Sequence, residues 1–128
     1  MMTCRAIRGA TTADSNTAED IHEATTEMLR TLIALNSVEP DDLVSLFFTT
    51  TSDLNATFPA VAARELGLEQ IPLMCAHEMN VPGALDMVVR VLVHVNTAKK
   101  PSEIQHVYMK RATELRPEWA VEPVGAVD

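Results

Sequence analysis

An arginine lies inside the segment MVVRVLVHV, residues 87–95, where its near neighbours are apolar and mostly β-branched. A run of this kind is typical of a β-strand that is covered on both faces. Alternation of side chains places Arg90 on the same face as Val88 and Leu92. A guanidinium group stays charged at any physiological pH, and burying it without a partner is costly. Arg90 therefore needs an anion, which either the protein or a ligand must supply.

The length of 128 residues fits one domain, which we expect to span 1–118 and to be followed by a loosely ordered tail at 119–128. The net charge of −8 argues against non-specific binding to nucleic acid or to anionic membranes. Cys4 and Cys75 lie in separate predicted strands, and free thiols fit a reducing compartment. No apolar run is long enough for a signal peptide or a membrane span. We expect a cytoplasmic protein with neither nucleic acid nor membrane as partner.

The hydrophobic pattern predicts a long helix, a short helix and about five strands. The long helix begins at a cap on Asn16 or Thr17 and runs to about Asn36, with apolar residues at 3.6-residue spacing. A short helix is predicted at 59–67, and strands at 3–12, 43–51, 71–75, 86–96 and 104–115. This is a mixed α/β or α+β domain in which one long helix covers one face of the sheet. We expect the other face to pack against further subunits.

Common catalytic motifs are absent from the sequence, which has no GxxxxGK[ST], GxGxxG, HExxH or GxSxG pattern. Cys75, His77 and Glu78 lie within four residues and could form a metal site, but their spacing matches no known zinc pattern. Cys75 could also act as a nucleophile beside an oriented histidine. The alternative interpretation is that Cys75 simply lines a pocket.

Isolated arginines are the strongest functional signal, because they occupy strand or helix positions rather than charged runs. The set, with its polar companions, consists of Arg8, Arg64, Arg90, Arg116, Glu78 and Tyr108. Guanidinium groups bind carboxylates in a bidentate manner, so several of them around an aliphatic cavity suit a small compound with more than one carboxylate. Alternatively, each arginine pairs with one of the many acidic residues of the protein.

Several ordered segments of the chain resemble one family, the small monofunctional chorismate mutases that form trimers of an α/β-barrel type. The segments are RAIRGATT, TSDLNATFPAVAARELG, PLMCAHEMNVPGAL, RVLVHVNT, HVYMKRA and LRP. Ala6 stands where the family often has glycine, and Val61 stands where some members have lysine. The resemblance covers most of the chain and implies a pseudo-α/β-barrel homotrimer.

The resemblance further implies a Claisen rearrangement of chorismate to prephenate, without metal or cofactor, in clefts between subunits. Arg90 would contact the ether oxygen and a carboxylate, and Glu78 the ring hydroxyl. Arg8 would contact a carboxylate or lie beside one. The residues implied to bind or flank the substrate are Tyr108, Cys75, Arg64, Arg116, Phe58, Ala60, Leu73, Met74 and Leu115. Two other interpretations remain open: a non-catalytic trimeric module that binds a dicarboxylate, and a trimeric metalloprotein using Cys75, His77 and Glu78.

Overall fold

The computed structural model describes residues 1–124, which form one five-stranded mixed sheet and two α-helices. The helices are α1 (Ala18–Leu35) and α2 (Ala60–Glu65). The strands are β1 (Thr3–Thr12), β2 (Leu43–Thr50), β3 (Leu73–His77), β4 (Val88–Thr97) and β5 (Val107–Tyr108). The predicted fold class, a mixed sheet of about five strands with one long and one short helix, is confirmed.

Helix α1 begins and ends where the sequence predicts. The Thr17 hydroxyl accepts a hydrogen bond from the Asp20 N–H at 3.2 Å, and Asn36 follows the last turn. Its apolar stripe, which includes Ile21, Met28 and Leu32, is buried against the sheet. None of the helices in residues 1–124 has the length and hydropathy that a membrane span requires.

The sheet has the strand order β3-β2-β4-β1-β5, with β4 at its centre. Strand β4 is antiparallel to both β1 and β2, whereas β3 is parallel to β2 and β5 is parallel to β1. Val89, Val91 and Val93 are buried in the core on the side of α1. Arg90 and Leu92 lie on the opposite side, which we call the open face of the sheet. Within one chain the open face of β4 is covered only in part, because Val88 is buried there while Arg90 and Leu92 are half-buried.

The fifth strand is much shorter than the predicted 104–115. It contains Val107 and Tyr108 and is followed by a 3₁₀ helix, Lys110–Glu114. Lys110 has a φ of 52°, in the left-handed region that interrupts an extended chain. Lysine rarely adopts this conformation, so the sequence contained no signal for the break.

The C-terminal segment is attached to the edge of the sheet beyond β5. The Val121 N–H donates to the Tyr108 carbonyl at 3.0 Å, and the Val124 N–H donates to the Thr31 hydroxyl at 3.1 Å. Residues 125–128 of the predicted tail lie outside the described residues. The boundary at residue 118 and the loose order of the tail stay predictions.

Candidate active site

A depression of about 240 Å³ lies on the open face of the sheet, across the three strands β2, β4 and β1 and beside β5. The register explains its lining, because Ala10 of β1 pairs with Arg90 on one side and with Tyr108 on the other. Thr49 pairs with Arg90 from β2. The side chains around the depression include Arg8, Phe47, Thr49, Arg90, Leu92 and Tyr108. Residues from distant parts of the chain thus line one concave surface.

Glu78 is the acidic partner of Arg90. Its Oε2 lies 2.8 Å from Arg90 Nε and 2.8 Å from the Thr49 hydroxyl, which donates to it. The Glu78 N–H donates to the Thr50 carbonyl at 2.9 Å, which fixes the chain just after β3. The Nε–H of Arg90 is not aligned with this oxygen, so the contact is an ion pair rather than a formed hydrogen bond. A third of the Arg90 side chain stays exposed, and it retains N–H donors for a second anion.

Arg8 forms no salt bridge with any acidic side chain of residues 1–124, although the protein is strongly acidic. Its guanidinium carbon lies 5.8 Å from the centroid of the Tyr108 ring, a cation–π distance. Its backbone N–H donates to His106 Nδ1 at 3.0 Å. Arg8 therefore lines the depression as a cation whose charge is available to an anionic ligand.

Tyr108 is fully buried, and its hydroxyl has no hydrogen-bond partner among the described residues. Leaving a buried hydroxyl unsatisfied costs about 1–3 kcal/mol. Because Tyr108 lines the depression, a ligand oxygen there could satisfy this donor. The unpaired hydroxyl is thus a second sign of a binding site.

Arg116 and Leu115 lie next to this region rather than in the lining of the depression. The Arg116 guanidinium stacks on the Trp119 ring at 3.7 Å, and its Nε donates to Glu118 at 2.8 Å. This contact holds the pKa of Glu118 below its usual value. Leu115 packs with Trp119 against a small buried cluster that includes Tyr108.

The remaining residues implied by the resemblance form a second group around α2 and the edge strand β3. They are Phe58, Ala60, Arg64, Leu73, Met74 and Cys75. Cys75 pairs with the buried Phe48 and faces the helical side of the sheet, where it lines a separate cavity of about 360 Å³. Met74 pairs with Phe47 on the open face, but β2 lies between it and Arg90. One chain alone does not bring this group into the depression.

The environment of Cys75 raises the pKa of its thiol. Burial is the main cause, and the nearby Ala60 backbone and Arg64 charge oppose it only in part. A raised pKa disfavours the thiolate that a nucleophile or a metal ligand requires. Moreover, the Cys75 side chain lies on the helical side of the sheet, whereas Glu78 reaches Arg90 on the open face. Within residues 1–124 no three His, Cys, Asp or Glu side chains are grouped to hold a metal ion.

Three residues of this region were missed by the sequence reasoning. Thr49 orients Glu78 through a hydrogen bond, and His106 accepts a hydrogen bond from the backbone N–H of Arg8. Trp119 stacks on Arg116. Thr49 had no distinguishing signal, because its partners come from other strands. Trp119 had a distinguishing signal, because it is the only tryptophan in the sequence and tryptophan is the side chain most suited to a cation–π contact.

Comparison with known proteins identifies the family. The family described as Chorismate mutase type I matches residues 4–119. The chorismate mutase AroH of Thermus thermophilus is 43% identical over 115 residues, covering 89% of this chain and 94% of that protein. AroH of Bacillus subtilis (strain 168) is 41% identical over 118 residues, covering 91% and 93%.

A solved structure agrees with this match. The chorismate mutase from Clostridium thermocellum Cth-682 superimposes with a TM-score of 0.85 at 46% identity, covering 86% of this chain and 98% of that one. The open face with its arginines thus belongs to a fold shared with that enzyme. The chain belongs to the chorismate mutase type I family.

Proposed function

We propose that this chorismate mutase, an isomerase, binds chorismate in the depression on the open face and rearranges it to prephenate there. The observation that supports the location is the pair of cations, Arg8 and Arg90, on one concave surface of an acidic protein. Arg8 has no acidic partner in residues 1–124. Arg90 forms an ion pair with Glu78, but its Nε–H makes no hydrogen bond to it. The two carboxylates of chorismate match these two cations.

The chemistry requires little more than this charge arrangement. A Claisen rearrangement is intramolecular and needs neither a nucleophile nor a proton transfer. It needs a folded substrate conformer, which carboxylate contacts can hold. It also needs stabilisation of the charge that appears on the ether oxygen as the C–O bond breaks. We assign the first role to Arg8 with Tyr108, and the second to Arg90.

Glu78 has two roles in this proposal. Its carboxylate contacts Arg90 Nε and so limits the positions of the guanidinium group. Its other oxygen accepts no hydrogen bond from residues 1–124, so it can accept one from the ring hydroxyl of chorismate. Thr49 holds the carboxylate in place through the hydroxyl contact at 2.8 Å.

We propose that the active enzyme is a homotrimer and that the second group of residues completes the site from a neighbouring subunit. Two observations support assembly. Phe58 and Met74 are each 68% exposed in the single chain, and Phe47 is also exposed beside the depression. Large apolar side chains that are this exposed commonly mark a protein interface. Such an interface would exclude water from Arg90 and strengthen its electrostatic effect.

We propose a cytoplasmic location. Cys4 and Cys75 are both free thiols, and they lie on different parts of the sheet, so they do not form a pair. Free thiols are typical of proteins in a reducing compartment.

The experiment that tests the function is an assay of chorismate consumption by the purified protein after dialysis against a chelator. We expect conversion to prephenate without added metal or cofactor. A folded protein that binds chorismate without converting it would instead support the dicarboxylate-binding module, which the family assignment does not favour.

A further inference from the structure

The Trp119 ring is in contact with both cations at this end of the sheet. The guanidinium carbon of Arg116 lies 3.7 Å from the ring centroid, and that of Arg8 lies 5.4 Å from it. Both distances fall within the range of cation–π attraction. The two like charges repel one another, so a ring that attracts both offsets part of that repulsion.

The ring is itself held by its neighbours. His106 lies 4.0 Å from it and Tyr108 lies 5.6 Å from it, both measured between ring centroids. Trp119 ends a short 3₁₀ helix, Pro117–Trp119, and the following backbone is hydrogen-bonded to the Tyr108 carbonyl. Since an indole has only two side-chain torsions, this packing leaves it few alternative positions.

We infer that Trp119 is a positioning residue: its indole ring, itself stacked on Arg116, holds the guanidinium group of Arg8 in the orientation that receives a carboxylate of the substrate. This inference rests on the site proposed above. Trp119 does not line the depression, so it acts through the arginines rather than on the substrate. Arg8 has no carboxylate to hold it in residues 1–124, which makes the aromatic contacts its main restraint besides the backbone.

The substitutions Trp119→Leu and Trp119→Phe separate this role from simple packing. Leucine keeps an apolar side chain but has no π-system, whereas phenylalanine keeps an aromatic ring. We expect Trp119→Leu to lower kcat/KM for chorismate about tenfold, mainly through a higher KM, because the carboxylate contact is made in ground and transition states alike. Trp119→Phe should stay within about threefold of the wild type.

The split between KM and kcat distinguishes positioning from loss of folded enzyme. A smaller active fraction lowers kcat and leaves KM unchanged. Val121→Ala is the matched control, because it removes apolar packing from the same segment but contacts neither arginine through a ring. We expect Val121→Ala to leave KM unchanged. An equal rise of KM in Val121→Ala would overturn the inference.

A double-mutant cycle with Arg8→Ala closes the test. If Trp119 acts through Arg8, Trp119→Leu should lower kcat/KM much less in the Arg8→Ala background than in the wild type. The same loss in both backgrounds would overturn the inference. If Arg8→Ala alone leaves KM and kcat unchanged, the proposed site fails and the inference fails with it. If Arg8→Ala impairs kcat/KM but Trp119→Leu does not, the inference about Trp119 is overturned while the proposed site stands.

Discussion

At the scale of the residue, Arg90 is the side chain to which we assign the main part in the chemistry. Its setting in an apolar strand predicts a need for an anion, and Glu78 supplies one at 2.8 Å. The same pair leaves part of the guanidinium exposed toward the depression. Arg90 thus has one anion from the protein and room for one from a ligand.

Replacing Arg90 should damage turnover more than folding. We expect Arg90→Ala to lower kcat at least about 100-fold, because the cation at the ether oxygen acts mainly in the transition state. Steady-state assays measure this loss, and circular dichroism checks that the sheet persists. Arg90→Lys is the matched control for charge, and it should recover only part of the rate, since it lacks the planar fork. A loss below tenfold in Arg90→Ala would remove Arg90 from the chemistry.

His106 is the second residue with a distinct prediction. Burial, followed by the charges of Arg8 and Arg116, lowers the pKa of His106 below its usual value. The unfolded chain therefore binds more protons than the folded chain between the lowered pKa and the ordinary value of about 6.5. The contribution of His106 to stability is present above about pH 6.5 and is lost as the pH falls below that value.

We expect the free energy of unfolding of the wild type to decrease more from pH 7 to pH 5 than that of His106→Asn. Asparagine can accept from the Arg8 N–H but does not titrate. Fluorescence of the only tryptophan, Trp119, provides a direct readout, because a protonated imidazole at 4.0 Å should quench it. A quenching midpoint above pH 6.5 would contradict the lowered pKa.

At the scale of the element, β1 connects the core to the site. Its odd-numbered residues face α1 and its even-numbered residues, including Arg8, face the open side. Gly9 faces Met28 and Leu32 of α1. A Cβ at Gly9 would lie 3.1 Å from Val91 Cγ1 and 3.3 Å from Met28 Cγ. The position of Arg8 thus depends on a close contact on the other face.

We expect Gly9→Ala to destabilise the fold by about 1–3 kcal/mol, because the added methyl group overpacks the interface of β1 and α1. Chemical denaturation measures the change. Ala6→Ser in the same strand is the control, and since Ala6 is exposed it should change stability by less than about 0.5 kcal/mol. Equal or higher stability of Gly9→Ala would show that Met28 and Val91 adjust freely.

At the scale of the whole molecule, the residues that we assign to the site form two separate groups in a single chain. The first group of site residues surrounds the depression, while the second lies around α2 and β3. Exposed Phe58 and Met74 accompany the second group. The homotrimer that we propose would join the two groups and would cover both the exposed apolar side chains and the open depression.

A negative charge introduced among the exposed apolar side chains, at Met74, should separate the subunits. We expect Met74→Asp to lower the solution mass from that of a trimer to that of a monomer, because a carboxylate in an apolar interface is costly to bury. Light scattering measures the mass, and the mutase assay should show loss of activity in parallel. Ala18→Asp, at an exposed position in the first turn of α1, should leave the trimer intact. A monomeric wild type with full activity would contradict the shared site.

The local sequence pattern by itself predicted most of the secondary structure of the molecule. The caps and apolar stripe of α1 and the strand composition of β1 through β4 predicted those elements close to their observed bounds, because both signals lie within a few consecutive residues. The arginine in an apolar strand predicted a need for an anion, and the ordered segments identified the family.

Only the tertiary structure decided which residues meet. Glu78 and Thr49 reach Arg90 because β2 lies between β3 and β4, and no local period encodes that order. Cys75 faces away from the depression, the fifth strand ends at Tyr108 shortly before a left-handed Lys110, and Trp119 contacts two arginines. These features depend on pairing between segments far apart in the chain, where the free energy of packing outweighs local preference.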